Sequence, residues 1–143
     1  MILGIVGPEQ AKFTEETEAN ARLAIRDLIC DCYDPSLVVS GGCHLGGVDK
    51  FAVEEAQRMG VPYREYLPKD LSWSAGYKPR NLEIARASDV VVCITVRTLP
   101  EHYTGMRFRL CYHCGTDSHV KSGGCWTMKQ AAKMGKETKL VVL

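Results

Sequence analysis

The chain has 143 residues, a length typical of one domain with one sizeable hydrophobic core. Its 18 basic and 17 acidic residues give a net charge of +1, which excludes a general electrostatic attraction to nucleic acid or membranes. The opening residues, MILGIVGPEQ, resemble no signal peptide, and no segment reaches the roughly 20 apolar residues of a membrane span. We therefore expect a cytoplasmic protein without a membrane partner.

Apolar runs and helical stretches alternate along the chain. In chain order, the pattern predicts a strand at residues 1–6, a helix at about 14–32, a strand at 37–39, a helix at about 48–59, a strand at 61–67, a short helix at 79–87, a strand at 89–95, a helix at 123–134 and a strand at 139–143. This alternation predicts a three-layer α/β fold, an open parallel sheet of about five strands with helices on both faces. We expect one domain, residues 1–143, with an irregular insertion at about 96–121.

Two glycine-rich turns are the most informative stretches of the sequence. Residues 40–47 read SGGCHLGG and residues 122–127 read SGGCWT, and a predicted helix follows each turn. Glycines let the backbone approach a ligand closely, and the amides at a helix start favour an anion such as phosphate. Ser40, Ser122 and Thr127 could add hydroxyl donors. Neither turn is a P-loop or a G-x-G-x-x-G fingerprint, but two similar turns favour phosphate binding over plain turns.

Each of three further side chains can be interpreted either as part of a ligand site or as purely structural. Arg80 lies at a predicted helix start, where a cation is locally unfavourable unless an anion offsets its charge. Asp49 also lies at a helix start, where a carboxylate is stabilising by itself, but it could accept ribose hydroxyls in a ligand site. Trp126 is either a stacking platform for a ring or a core residue. The sequence leaves both alternatives open for Trp126.

The pair Cys111 and Cys114 has the two-residue spacing of half a zinc site. Further donors are available in His102, His119 and Cys125. We predict a structural zinc ion with Cys111, Cys114 and His119 as the favoured ligands. The seven cysteines form an odd number in a chain that we expect in a reducing compartment, so disulfides are not favoured.

Cys30, Cys32 and Cys93 lie in segments predicted as a helix and a strand. Free cysteine behaves as a small hydrophobic residue and is among the most buried residue types. We therefore predict that these three thiols belong to the core.

Four stretches together resemble the SLOG superfamily: the opening strand with Gly7, VVSGGCHLGGVDKFAVEEAQRMGVP, PRNLEIARASDVVVCI and SGGCWTMKQAAKMGK. This superfamily includes the LOG phosphoribohydrolases, the DprA proteins, the YpsA-like proteins and molybdenum-cofactor carriers. The chain is most similar to the small YpsA-like branch. The stretches cover most of the sequence except residues 96–121.

The resemblance implies a Rossmann-like sheet, homo-oligomers and a nucleotide or nucleotide-derived ligand. The resemblance and the candidate hydroxyl donors named above together predict a set of ligand-binding and phosphate-binding residues. These are Gly7, Ser40, Gly41, Gly42, Gly46, Asp49, Arg80, Asn81, Ser122, Gly123, Gly124 and Thr127. The chain departs from the hydrolases at one decisive place, because Gln130 stands where their catalytic glutamate would be. A glutamine cannot ionise, so it cannot act as a base.

Our leading hypothesis is therefore a sensor, carrier or sequestering protein for a phosphate-containing nucleotide or nucleotide derivative. One alternative is an N-glycosidic hydrolase or transferase in which Asp49, Glu54 or Glu83 replaces the missing glutamate. The other is a single-stranded DNA-associated module of the DprA kind, for which only the superfamily and the basic residues Arg107, Arg109 and Lys121 argue. The balanced overall charge does not favour nucleic acid.

Overall fold

Strands and helices alternate in the computed structural model, which describes residues 1–143, as the sequence predicts. The strands are β1 (Ile2–Val6), β2 (Leu37–Gly41), β3 (Tyr63–Tyr66), β4 (Val90–Thr95) and β5 (Glu137–Val142). The helices are α1 (Glu15–Asp27), α2 (Val48–Arg58), α3 (Lys78–Ala87) and α4 (Gly123–Lys133). Residues 96–121 contain no helix or strand, and an isolated bridge joins Cys111 to Thr116 there.

All five strands are parallel and lie in the order β3-β2-β1-β4-β5. Helices α1 and α2 pack together against one face of the sheet, and α3 and α4 pack together against the other. Alternate residues of a strand point to opposite faces. Leu3 and Ile5 of β1 accordingly belong to the core under α1 and α2, whereas Val6 belongs to the core under α3 and α4. The predicted three-layer Rossmann-like fold is confirmed.

The first helix begins and ends through local signals. Thr14 caps α1, because its Oγ1 accepts a hydrogen bond from the Thr17 amide and the Thr17 hydroxyl accepts one from the Thr14 amide. After Asp27 the helix widens into a π-helical turn, Leu28–Tyr33, which ends at Asp34 in a left-handed conformation with φ 45°. The chain then enters β2.

The π-helical turn also corrects one prediction about the cysteines. Leu28 and Ile29 point into the core, whereas Cys30 and Cys32 are exposed on the opposite side of the turn. The prediction that Cys30 and Cys32 are buried is therefore wrong. Cys93 is fully buried on β4, as predicted.

Strand β1 is the point where the strand order reverses, because β2 and β4 lie on opposite sides of it. The segments that follow β1 and β4 must therefore diverge, and they leave a crevice at the carboxyl ends of these strands. No helix of the protein is long and apolar enough to cross a membrane.

Helices α1 and α2 are joined by a buried carboxylate. Glu55 of α2 has no exposed surface, and it accepts hydrogen bonds from Arg22 (3.0 Å), Arg26 (2.7 Å) and Arg58 (2.6 Å). Burial alone would raise the pKa of Glu55, but hydrogen bonds from Arg26 and Arg22 outweigh that effect and lower it. The carboxylate stays charged because three guanidinium groups surround it.

We expect Glu55→Gln to lower the free energy of unfolding by about 2 kcal/mol, because the three arginines lose their shared counter-charge. Urea denaturation followed by circular dichroism measures the change. Glu83→Gln, at an exposed position on α3, is the matched control and should leave the curve unchanged. Coincident curves for Glu55→Gln and the wild type would show that the network adds nothing to stability.

Candidate functional site

A cavity of about 690 Å³ lies over the carboxyl end of β1, the strand at which the strand order reverses. The turn after β1, the starts of α2, α3 and α4, and the segment 96–121 all contribute to its lining. The predicted ligand-binding residues on its surface are Gly7, Asp49, Arg80, Asn81, Ser122, Gly123, Gly124 and Thr127. Its volume falls in the range of small-molecule sites.

The second glycine turn places the start of α4 at this cavity. Ser122 is the N-cap residue of α4, but its side chain forms no capping hydrogen bond. The first amides of a helix have no partner within the helix, so they are available to an anion. Gly124 allows α4 to approach β1 closely, because a Cβ atom there would lie 2.8 Å from the Gly7 amide nitrogen. Gly123, in contrast, adjoins open space.

The first glycine turn is arranged differently. The Val48 amide at the start of α2 donates a hydrogen bond to the Pro8 carbonyl oxygen (3.1 Å), so the turn after β1 covers this helix start. Gly47 adopts φ 86°, and a Cβ atom there would collide with the backbone of Pro8 and Glu9. The predicted residues that do not line the cavity are Ser40, Gly41, Gly42 and Gly46. The first amide of α2 is therefore bound by the protein itself, whereas Gly123 and Gly124 at the start of α4 line the cavity.

Arg80 is buried beside the cavity and is held by its neighbours. Its Nε donates to Asn81 Oδ1 (2.8 Å), one terminal nitrogen donates to the Tyr66 carbonyl oxygen (3.1 Å), and the other lies 3.9 Å from Asp49 Oδ2. Gly41 is the residue that makes room for this pair, because a Cβ atom there would overlap both the guanidinium and the carboxylate. Gly41 thus supports the site without lining it.

The charge of Asp49 is destabilised by its surroundings. Burial raises the pKa of Asp49 to about 7, although Arg80 and a hydrogen bond from Ser40 (3.4 Å) both act to lower it. Near neutral pH the carboxyl group is therefore partly protonated. The positive charge of Arg80 is consequently not fully neutralised and can attract an anion in the cavity.

Aromatic side chains form another part of the cavity lining. Trp73 and Trp126 pack edge to face, with ring centroids 4.8 Å apart and planes at 83°. The guanidinium of Arg80 lies 5.3 Å from the centre of the Tyr77 ring. Trp126 is half-buried and borders the cavity, where a ring-containing ligand could contact it.

Two lysines at the cavity were not found from the sequence as ligand-binding residues. Lys12 lies in a short 3-10 turn after β1, and burial lowers its pKa. Lys121 precedes α4, and its ammonium lies 5.1 Å from the centre of the Tyr112 ring. Lys12 carries no local sequence signal, because an isolated lysine is usually a solvated surface residue.

The predicted metal ligands lie together at one side of the cavity. The ligand atoms of Cys111, Cys114 and His119 form a cluster with Cys125 of α4, and all four atoms lie within 4.8 Å of one another. Three thiols and an imidazole form a set that can bind a transition metal. From the sequence alone, Cys125 is only a further candidate donor and not one of the favoured ligands.

No protein-family model matches this chain, and no curated protein matches it. Its fold is similar to that of the molybdenum cofactor carrier protein of Chlamydomonas reinhardtii, with 20% identity over 99% of this chain and 77% of that chain and a TM-score of 0.62. It is also similar to DNA processing protein A (DprA) of Streptococcus pneumoniae, with 13% identity over 96% of this chain and 49% of that chain and a TM-score of 0.61. The chain therefore shares its fold with these two proteins. This chain spans about half the length of DprA. The predicted resemblance to SLOG proteins is confirmed for the fold.

The raised pKa of Asp49 predicts a pH dependence of stability. Its protonated form is favoured in the folded protein, so its contribution to stability is complete below the unfolded pKa and is lost as pH rises through about 7. Between about pH 4 and pH 7 the wild type should therefore lose up to about 1.4 kcal/mol per pH unit relative to Asp49→Asn.

Urea denaturation of both proteins at several pH values measures this difference, and Asp31→Asn provides a control at an exposed carboxylate. Parallel stability curves for the wild type and Asp49→Asn would contradict the prediction.

Proposed function

We propose that the cavity binds a phosphate-containing nucleotide or nucleotide-derived molecule and that the protein acts as its carrier, sensor or sequestering factor. The observation that carries this proposal is the position of the first turn of α4, which borders the same cavity as the buried guanidinium of Arg80. Backbone amides at a helix start and a nearby arginine are the groups that proteins use to bind phosphate.

The phosphate would lie against Gly123 and Gly124, with Thr127 beside them. The Thr127 hydroxyl donates to the Gly123 carbonyl oxygen (3.2 Å), which supports the geometry of this first turn. Lys12 and Lys121 add positive charge to the cavity, whose acidic lining residues are Glu9 and Asp49. The local charge therefore favours an anion, although the whole chain is almost neutral.

The remainder of the ligand would occupy the aromatic and carboxylate parts of the cavity. Trp73 and Trp126 offer contacts for a base or another planar ring, and Asp49 can accept a hydrogen bond from a sugar hydroxyl. A carrier role agrees with the similarity in fold to a protein described as a molybdenum cofactor carrier. We therefore include that cofactor among the ligands to be tested.

Isothermal titration calorimetry with AMP, ADP-ribose, cyclic dinucleotides and the molybdenum cofactor tests the proposal. We expect at least one of them to bind and its counterpart without phosphate to bind at least tenfold more weakly, about the loss of one charge-assisted hydrogen bond. Arg80→Met should weaken binding similarly, whereas Arg86→Met, an exposed arginine on the same helix, should not.

Thermal unfolding of both variants separates a loss of binding from a loss of folding. The absence of binding across the panel, or equal affinity for phosphorylated and unphosphorylated ligands, would contradict the proposal.

A hydrolase acting on the same ligands is the enzyme alternative. Among the three carboxylates considered for it, Asp49 lines the cavity. Glu54 instead accepts a hydrogen bond from Arg22 (3.3 Å) on the far face of the sheet, and Glu83 is an exposed residue outside the cavity lining. Release of free base from AMP during the titrations, lost in Asp49→Asn, would favour hydrolysis. Intact AMP after long incubation would exclude it for this substrate.

A second groove gives the DNA-binding alternative a specific basis. Its volume is about 240 Å³, and Arg97, Arg107, Arg109 and Lys121 line it together with Phe108. Basic side chains around an aromatic ring are typical of single-stranded nucleic-acid sites. The fold similarity to DprA agrees with this alternative.

If this groove binds single-stranded DNA, the affinity should fall steeply as the salt concentration rises. The double substitution Arg107→Gln, Arg109→Gln should reduce the slope of the logarithm of the binding constant against the logarithm of the salt concentration by about 1.4. Fluorescence anisotropy with a labelled oligonucleotide measures both effects, with Lys69→Gln as a control at an exposed position outside the groove. No binding at low ionic strength would exclude this alternative.

A structural zinc ion at Cys111, Cys114 and His119 belongs to the same proposal. The cavity lining includes Tyr112 and His113, which lie between the two cysteines, so a metal there would hold part of the ligand site. Three protein ligands leave the fourth position of a tetrahedral zinc open. The cytoplasmic location and the homo-oligomer remain predictions from the sequence.

A further inference from the structure

Four ligand side chains from two separate parts of the chain meet beside the cavity. Cys111, Cys114 and His119 belong to residues 96–121, hereafter the wall segment, and Cys125 lies in the first turn of α4. Their ligand atoms lie within 4.8 Å of one another. Tetrahedral zinc with Zn–S bonds of about 2.3 Å separates its ligand atoms by about 3.8 Å, so each need move by no more than about 1 Å.

His119 provides an independent indication that this cluster binds a metal. Its side chain is buried, with only 3% of its surface exposed, and its Nε2 has no hydrogen-bond partner. A buried polar atom without a partner costs about 1–3 kcal/mol, and such atoms are rare. The other ring nitrogen, Nδ1, lies 3.0 Å from Ser118 Oγ, an arrangement that orients a metal-bound histidine. A metal on Nε2 would remove the cost of its burial.

The backbone also arranges the two cysteines of the wall segment for a shared ligand. The amides of Cys114 and Gly115 both donate to the Cys111 carbonyl oxygen, at 3.2 and 2.8 Å. Gly115 adopts φ 70°, a left-handed conformation that suits glycine and turns the chain back on itself. This tight turn brings Cys114 next to Cys111, as the two-residue spacing of a zinc half-site requires.

We propose that Cys125 completes a zinc site of three cysteines and one histidine with Cys111, Cys114 and His119, and that this zinc ion links the wall segment to α4. The choice of zinc follows from the ligands, since a set of three thiolates and one imidazole is typical of structural zinc. Three of the four residues are buried, and Cys114 is partly buried. Cys93 approaches Cys125, with the two sulfur atoms 3.9 Å apart, but it lies outside the cluster.

The link would hold the cavity in shape without itself binding the ligand. Tyr112, His113 and Lys121 of the wall segment line the cavity, and Trp126 lies next to the zinc ligand Cys125. The wall segment has no helix or strand of its own, so few backbone hydrogen bonds order it. A structural zinc ion can supply that order directly.

Metal analysis of the purified full chain by inductively coupled plasma mass spectrometry tests the site. We expect one zinc ion per chain, and less than about half that content in Cys114→Ser, Cys125→Ser and His119→Gln, because a structural zinc site needs its four ligands. Cys43→Ser and Cys30→Ser are matched controls outside the cluster and should retain the zinc. A wild-type chain without zinc would overturn the proposal, as would a Cys125→Ser chain with full zinc content.

Two further measurements keep the proposal testable if a variant fails to fold. His119→Cys should restore zinc binding that His119→Gln loses, since a set of four thiolates also holds zinc. Chelator-treated wild type titrated with Co²⁺ should develop the visible absorption of tetrahedral cobalt bound to thiolates. The absence of that absorption would overturn the site.

Hydrogen exchange monitored by mass spectrometry tests the structural role. We expect exchange in the wall segment and the first turn of α4 to become at least about tenfold faster when zinc is removed, whereas exchange in α1 should not change. Equal rates with and without zinc would overturn the proposed link. None of these measurements needs a bound nucleotide, so their outcome is independent of the ligand-binding proposal.

Discussion

The reversal of strand order at β1 is the constraint on which the arrangement of the site depends. Because β2 and β4 lie on opposite sides of β1, the chain passes to one face of the sheet after β1 and to the other after β4. The two paths leave a crevice that no regular element fills. Helix starts, the Gly7-Pro8 turn and the wall segment all meet there.

The fold could be predicted from the sequence because its signals are local. Buried parallel strands appear as short apolar runs, and Gly60 and Gly135 adopt left-handed conformations after α2 and α4, where a glycine at the helix end is expected. Strand β5 begins two residues earlier than predicted, at Glu137, because an edge strand tolerates polar residues that an apolar run does not include. Cys30 and Cys32 were misplaced because the π-helical turn changes the direction in which residues after Asp27 point.

The candidate site was less predictable than the fold, because contacts between residues far apart in sequence determine which side chains line the cavity. Both glycine turns were identified, but only the folded chain brings the Pro8 carbonyl oxygen to the start of α2 and leaves α4 facing the cavity. No residue next to Lys12 in the sequence indicates that this lysine lines the cavity. Cys125 lies on a helix eleven positions after Cys114, a spacing that no half-site pattern includes, and the chain must fold before the two sulfurs meet.

The two tryptophans of the chain, Trp73 and Trp126, form one edge-to-face pair on the cavity surface. Indole emission from this protein therefore originates at that surface alone, since the core under α1 and α2 contains phenylalanine but no tryptophan. A molecule that enters the cavity changes the polarity and the quenching around both rings at once. The protein consequently carries an intrinsic optical reporter of occupancy, and it needs no attached dye.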